Sequence, residues 1–459
     1  MRKLLLAGLA LAGLAPWAAA QAPKGGQAKA MPAKPSAQTA EAPRIKFTEY
    51  DLPNGLHVIL HKDNSAPVVA VTVMYHVGSK NEQPDRTGFA HFFEHLLFEG
   101  SENLKRGEYM RTIKNAGGQL NANTSADRTF YYEVLPSNQL ELALYMESER
   151  LLHAKIDQQG VETQREVVKE EKRLRYDNRP YGQVFSTALE KSFTTHPYKV
   201  STIGKIEHLN AASLDEFIGF YKKFYIPNNA ILSIAGDLDI EKTKALVAKY
   251  FGEIPRGKEI NRVVPAEPEQ KAERVDTTYD NINLPAVIQT YHIPAQGTPE
   301  YYALNMLTTY LSGGESSILN KEIVERQQKA LTVAAFPFSV EDPGLFVLYG
   351  IASQGTAIDN LSKSIDALVE RVKAAPISAR DYQKVLNQVE SEFVSQNSSA
   401  VGIAENLAQY KMYFGDANLI NTELDRYRKV TPEQMQAVAK KYFDKKNRTL
   451  IYYLPKKNS

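Results

Sequence analysis

The chain has 459 residues, enough for two or three domains with large cores. Its formal charge of +2 falls to about zero once a leader carrying Arg2 and Lys3 is removed, which leaves no electrostatic footprint for nucleic acid. Cysteine is absent, so disulfides, thiolate metal ligands and a lipid-modified cysteine behind the leader are excluded.

Residues 1–20, MRKLLLAGLALAGLAPWAAA, read as a secretory signal. The apolar segment from Leu4 to Ala15 is too short to span a bilayer, and Ala18-Ala19-Ala20 offers the cleavage site. The mature protein is expected to be soluble and exported to the periplasm. Residues 21–42 carry almost no bulky apolar side chains and read as a disordered spacer. An N-terminal unit is expected over 43–256. It opens with a hairpin turning at Leu52-Pro53-Asn54-Gly55 and continues in a buried strand over 68–77.

The run GFAHFFEHLLFEG follows. His91 and His95 are four residues apart, one helical turn, and can converge on one ion, with Glu94 beside them. Two imidazoles and a neighbouring carboxylate are the equipment for binding zinc and activating water. The flanking apolar residues predict a buried helix, and a core rarely holds such a trio without a compensating partner. Beyond it the pattern predicts a helix over 109–116 ending at Gly117-Gly118, strands over 119–122 and 129–135, and helices over 138–152 and 161–176. An amphipathic helix over 213–225 leads into a strand over 229–236.

The polar, Pro-containing stretch around 255–271 reads as a linker, with boundaries at 257–272 and a second unit at 273–459. That unit repeats the first. Ser213-Leu-Asp-Glu-Phe through Lys222-Lys223-Phe224-Tyr225 aligns without a gap on Thr431-Pro-Glu-Gln-Met through Lys440-Lys441-Tyr442-Phe443, each before a strand. Both helices begin with a capping hydroxyl and an acidic first turn. A strand near 286–292 and a helix over 301–311 repeat the order that leads into the motif. That helix, ALNMLTTYL, has no His or carboxylate to offer, so only the first unit can hold the ion.

Zinc hydrolases use three protein ligands and an open position. The segment VETQREVVKEEKRLRYD offers Glu162, Glu166, Glu170 and Glu171. Glu171 lies four residues from Val167 and three from both Val168 and Leu174, on the apolar stripe, whereas Glu170 shares its side with Thr163, Glu166, Arg173 and Asp177. An inward carboxylate needs a cation, and a metal ion or a buried Arg would serve.

With these residues in hand the chain resembles the insulinase/pitrilysin family of zinc peptidases. It is closest in kind to the short single-unit members, similar to the mitochondrial processing peptidase β subunit and to bacterial two-subunit periplasmic peptidases. The resemblance runs from about Phe47 to the C-terminus. It is carried by His91-x-x-Glu94-His95, Gly117-Gly118-Gln-Leu-Asn121-Ala122-Asn-Thr124, Arg165 through Glu171, His196-Pro-Tyr198, Ile203-Gly204, Tyr225-x-Pro227-Asn228-Asn229 and Ala235-Gly236-Asp237. It implies an α+β fold of two structurally similar domains, each a mostly antiparallel sheet packed with helices, forming half of a clamshell. It implies Zn²⁺ held by His91, His95 and Glu171, with Glu94 as general base. It also implies a strand edge at Asn121 and Ala122 that pairs with extended peptides.

Two departures from the family pattern stand out. A supporting glutamate is expected seven residues before the third ligand, but this chain has Gln164, which can orient a ligand without adding charge. Self-sufficient members hold substrate with an Arg and a Tyr in a context like L-R-E-x-x-G-L-x-Y. Here Arg326 and Leu331 fall in register, but Ala330 replaces the Gly and Val333 the Tyr. The resemblance therefore implies a heterodimer in which a related subunit supplies the pair, although a homodimer is open. The expected activity is cleavage of short or unfolded peptides. The rivals are a non-catalytic peptide-binding or scaffold subunit, which has no need of all four motif residues, and a processing peptidase dedicated to one exported polypeptide. His57, His61, His76, His153, His208 and His292 lack partners at ligand spacing and read as structural or exposed, and His196 reads as loop packing.

Overall fold

The computed structural model describes residues 44–456; the leader and the spacer lie outside them. The first sheet contains β1 (Thr48–Asp51), β2 (His57–Lys62), β3 (Val68–Tyr75), β4 (Gln119–Thr124), β5 (Thr129–Pro136) and β6 (Ala230–Gly236), in the order β1-β2-β6-β3-β5-β4. The second contains β7 (Arg274–Asp280), β8 (Ala286–Ile293), β9 (Ala330–Phe338), β10 (Gly344–Ala352) and β11 (Arg448–Pro455), in the order β7-β11-β8-β10-β9. Each sheet has one parallel pair, β2 with β6 and β7 with β11, and the other pairs are antiparallel. Leaving out β1, the two orders superimpose strand for strand, so the fold is α+β with two similar domains. No helix among the described residues is long and apolar enough to cross a membrane.

The repeat extends to single hydrogen bonds. Ser213 and Glu216 form a capping box on the helix Leu214–Phe224, and Thr431 and Gln434 form one on Pro432–Tyr442. After each helix an asparagine ties its last turn to the central strand. Asn229 donates to the Phe224 carbonyl at 2.7 Å and the His76 carbonyl at 3.4 Å, and Asn447 donates to Tyr442 at 2.8 Å and His292 at 2.9 Å.

The domains exchange helices. Ala400–Phe414, from the second half of the chain, lays Ile403, Ala404, Leu407 and Ala408 on Ile59, Met74, Phe130, Ile231 and Ala235 of the first sheet. Val184–Ser192, from the first half, lays Val184, Ala188 and Leu189 on Ala286, Ile288, Leu345, Val347 and Ile451 of the second. Each large aliphatic side chain buried this way contributes roughly 1.5–3 kcal/mol. The sheets are therefore fixed to one another by two cores that neither could complete alone. The polar linker is also anchored. Glu267 accepts backbone N–H bonds from Thr194, Thr195 and His196, and Arg262 donates to the His76 carbonyl.

A charge cluster seals the same seam. Lys80, whose side chain is only 5% exposed, lies 3.0 Å from Asp127 and 3.0 Å from Asp342 and also pairs with Glu341; the last two sit on the β9–β10 turn. His76 meets Glu341 at 3.0 Å. Burial alone would raise the Glu341 carboxyl, but His76 and Lys80 together hold it at about 2. His196, against burial and with help from Lys80, brings Asp342 to about 2. Folded values below the unfolded ones mean stability that is complete above about pH 4.5 and lost as pH falls toward 2. Glu341→Gln should lower the stability at pH 7 by on the order of 2 kcal/mol, discounted for partial exposure. In thermal melts across that acid window the gap between variant and wild type should close. A gap that stays constant with pH would remove Glu341 from the seam's energetics.

Candidate metal centre

The motif helix, Phe89–Leu96, owes its direction to aromatic burial. Phe89 stacks on Phe217 with ring centroids 4.6 Å apart, and Phe93 on Phe220 at 5.5 Å. That packing turns His91, Glu94 and His95 to the other side. The helix lacks a capping side chain at its own Gly88, and a loop carboxylate replaces it: Glu82 accepts from the Gly88 and Ala90 amides, each at 2.8 Å. Gly88 has φ +91°, and a Cβ on Gly204 would lie 2.4 Å from its nitrogen, so the Ile203-Gly204 turn must pass bare against the helix start.

The glutamate helix, Gln158–Lys172, is started by Asp157, whose carboxylate accepts from the Gly160 amide at 2.8 Å. It packs Val161, Gln164, Arg165 and Val168 inward. Glu171 continues that face, but not for the reason its spacing gave. Val167 and Leu174 are 42% and 61% exposed, so the buried stripe runs through Val168 and Gln164. The expected helix over 161–176 also changes character, since Arg173–Asp177 winds as a π-helix and carries Leu174 out of phase.

The structure brings His91, His95 and Glu171 together, one ligand atom from each lying within 4.8 Å of the others. Glu171 Oε2 is 3.1 Å from His95 Nε2 and 3.6 Å from His91 Nε2. Buried His95 Nε2, Glu171 Oε2 and His91 Nδ1 nevertheless have no hydrogen-bond partner of acceptable geometry. Unmet polar atoms are costly unless something compensates them. Burial and then the neighbouring His95 push His91 down to about 3, keeping it neutral. Burial would raise Glu171, but the two imidazoles and Arg175 bring it to about 2, keeping it ionised. A neutral imidazole, as at His91, and an ionised carboxylate, as at Glu171, are the protonation states a divalent cation requires. The donor set fits zinc with an open fourth position. The other cation considered for Glu171 is present too, because Arg175 Nη1 meets its second oxygen, Oε1, at 2.8 Å.

Glu94 is buried beside the trio, and its Oε2 accepts from the Thr124 hydroxyl at 2.6 Å. Burial raises its carboxyl above the ordinary value, opposed by that hydrogen bond. Gln164 is close behind, but its amide nitrogen donates to Glu99 Oε1, and Glu99 Oε2 also meets Arg106 at 3.0 Å. The carboxylate that Gln164 meets is thus Glu99, four residues past His95, and Arg106 already pairs with it. Asn121 and Ala122 lie on β4, the edge of the first sheet. The Ala122 side chain is buried, and its amide donates to the Asn121 side-chain oxygen at 2.9 Å. Arg326 is 72% exposed and pairs with Glu322, while Val333 is buried in β9 at 8%. The remaining histidines have local partners. His57 meets Asp51 at 2.7 Å and Glu49 at 3.0 Å, and His61 faces the Lys46 carbonyl at 2.7 Å.

Thr124, Glu99 and Arg175 were not singled out by the sequence. The signals for them were the place of Thr124 in the Gly117–Thr124 motif and the i+4 spacings of Glu99 from His95 and of Arg175 from Glu171.

Comparison with known proteins identifies the family. A family model described as insulinase (peptidase family M16) matches residues 57–205, which hold all four motif residues, and one described as the peptidase M16 inactive domain matches 211–389. The zinc protease PqqE of Helicobacter pylori is 28% identical over 89% of this chain and 93% of its own. A crystal structure of a protease from Helicobacter pylori superimposes with a TM-score of 0.85, at 28% identity over 90% of this chain and 100% of that one. The periplasmic protease PqqL of Escherichia coli shares the fold at 19% identity and a TM-score of 0.72, and this chain spans 48% of it. The chain belongs to the insulinase, or M16, family of peptidases.

Proposed function

We propose that this chain is a zinc-dependent endopeptidase of the periplasm, cleaving short or unfolded peptides as the metal-bearing subunit of a heterodimer. The observation that carries the reading is the convergence of His91, His95 and Glu171, with unpartnered atoms, beside a buried Glu94. Zinc held by those three side chains supplies polarisation of a peptide carbonyl and acidification of water. Glu94 in its ionised form takes the proton of the attacking water and then delivers it to the departing amine nitrogen. Arg175 holds Oε1 of Glu171, which leaves Oε2 turned to the imidazoles. The open edge of β4 accepts an extended peptide through backbone hydrogen bonds, reading extension more than side-chain identity. Docking at Ala122 must displace the Asn121 oxygen from its amide. The leader at 1–20 supports export.

Metal analysis of the purified chain tests this reading. One zinc per chain is expected, with Glu171→Gln weakening zinc by more than the roughly 10–100-fold that outer partners command. A wild-type chain that takes up no zinc, or a Glu171→Gln chain that binds it unchanged, would sink the assignment.

A further inference from the structure

The hairpin that offers an edge to peptides also grips the catalytic helix. Ala122 and Thr124 lie on the same face of β4, since side chains alternate along a strand. Ala122 is buried in the core that also holds Phe89, Phe92 and Phe93, and Thr124 sets its hydroxyl on Glu94 Oε2 at 2.6 Å. Tyr131, opposite Ala122 on β5, donates its hydroxyl to the Phe93 carbonyl at 2.9 Å. Two neighbouring residues of the helix, Phe93 and Glu94, are thus fixed from one hairpin, one through its backbone and one through its carboxylate.

The terminal torsion of a glutamate side chain is broad and roughly two-fold, so packing alone does not choose which oxygen faces the reaction. A short hydrogen bond from a hydroxyl to a charged oxygen does choose, and such bonds are about twice as strong as neutral ones. We infer that Thr124 is a positioning residue that holds Oε2 of Glu94 through its hydroxyl, presenting Oε1 to the attacking water. The inference rests on reading this site as a metallopeptidase. It separates two jobs of one strand: the backbone of β4 docks the peptide, and the side chain at its end aims the base. Removing the hydroxyl should therefore impair turnover and spare docking.

Thr124→Val keeps the shape and removes the donor, and Thr124→Ser restores the donor. With zinc-loaded protein and quenched fluorogenic peptides, Thr124→Val should lower kcat by about 10–100-fold, part of the 10²–10⁴ that a general base contributes, with KM within about twofold. Thr124→Ser should recover most of the loss. Independently of turnover, a phosphinic peptide mimicking the tetrahedral stage should bind the Val variant about tenfold more weakly. An uncleaved peptide analogue should bind it equally well, and zinc content should be unchanged. A Val variant with wild-type kcat, a Ser variant as impaired as Val, or a loss confined to KM would overturn the role of Thr124 while leaving the peptidase reading intact. A wild-type chain without zinc would overturn both.

Discussion

Glu94→Gln should retain the zinc and lose the peptidase, by about 10²–10⁴-fold in kcat. The substitution suits the site because it changes almost nothing else. Glu94 is buried, and its only hydrogen-bond donor among the described residues is the Thr124 hydroxyl, which a glutamine oxygen can still accept, though more weakly than a carboxylate. Glutamine is also neutral, so the burial that pushes the carboxyl up is relieved rather than aggravated, and the fold should be no less stable. What the amide cannot do is take a proton from water and return it to an amine. The metal site is untouched, because His91, His95 and Glu171 supply the converging atoms without Glu94. Zinc content, melting temperature and cleavage of a fluorogenic peptide, measured on the same preparation, separate these effects. Normal cleavage by Glu94→Gln would mean that the base is another group. Loss of zinc together with activity would make Glu94 a ligand instead.

The parts of this site visible in the sequence are those set by local period. Two imidazoles four apart on a helix face the same way in any fold, and the structure places His91 and His95 rings 4.8 Å apart, centroid to centroid. Glu171 was found from phase, yet two of the three apolar residues that defined the phase, Val167 and Leu174, are exposed. It turns inward with Val168 and Gln164, and the π-helical turn after Lys172 could not be foreseen from an α-helical wheel. Thr124 touches Glu94 only because β4 pairs at the sheet edge beside the motif helix, a long-range arrangement with no local signature. The same holds for the exchanged helices: Ala400–Phe414 has an apolar face, but nothing in its spacing says that the face belongs to the other sheet. The repeat was legible because it is written in caps, Ser213 and Thr431, and its matching asparagines, Asn229 and Asn447, acquire meaning only once their partners are seen.

The isolated chain should cleave peptides about 10²–10³-fold more slowly than a complex with a related chain that carries an intact Arg and Tyr pair. The arithmetic follows from charge. As water attacks, the peptide oxygen becomes an oxyanion, and a missing preorganised donor there costs about 2.7–4 kcal/mol in the barrier. The residue standing where the Tyr is expected is Val333, an apolar side chain buried within β9 that has no donor to give. Arg326 closes the preceding π-helical turn, exposed and paired with Glu322 four residues back, so its charge is already answered within its own turn. Because the two sheets are locked by exchanged helices and the Lys80 cluster, the second domain cannot swing across to bring other donors over the zinc site. A facing subunit can. Val333→Tyr should not rescue the isolated chain, since a phenol placed in that packed position meets core atoms rather than substrate. Titrating a related subunit into the zinc-loaded chain while following kcat tests the proposal. Full turnover by the chain alone, or by its homodimer, would mean that the oxyanion is held from within and that no second subunit is required.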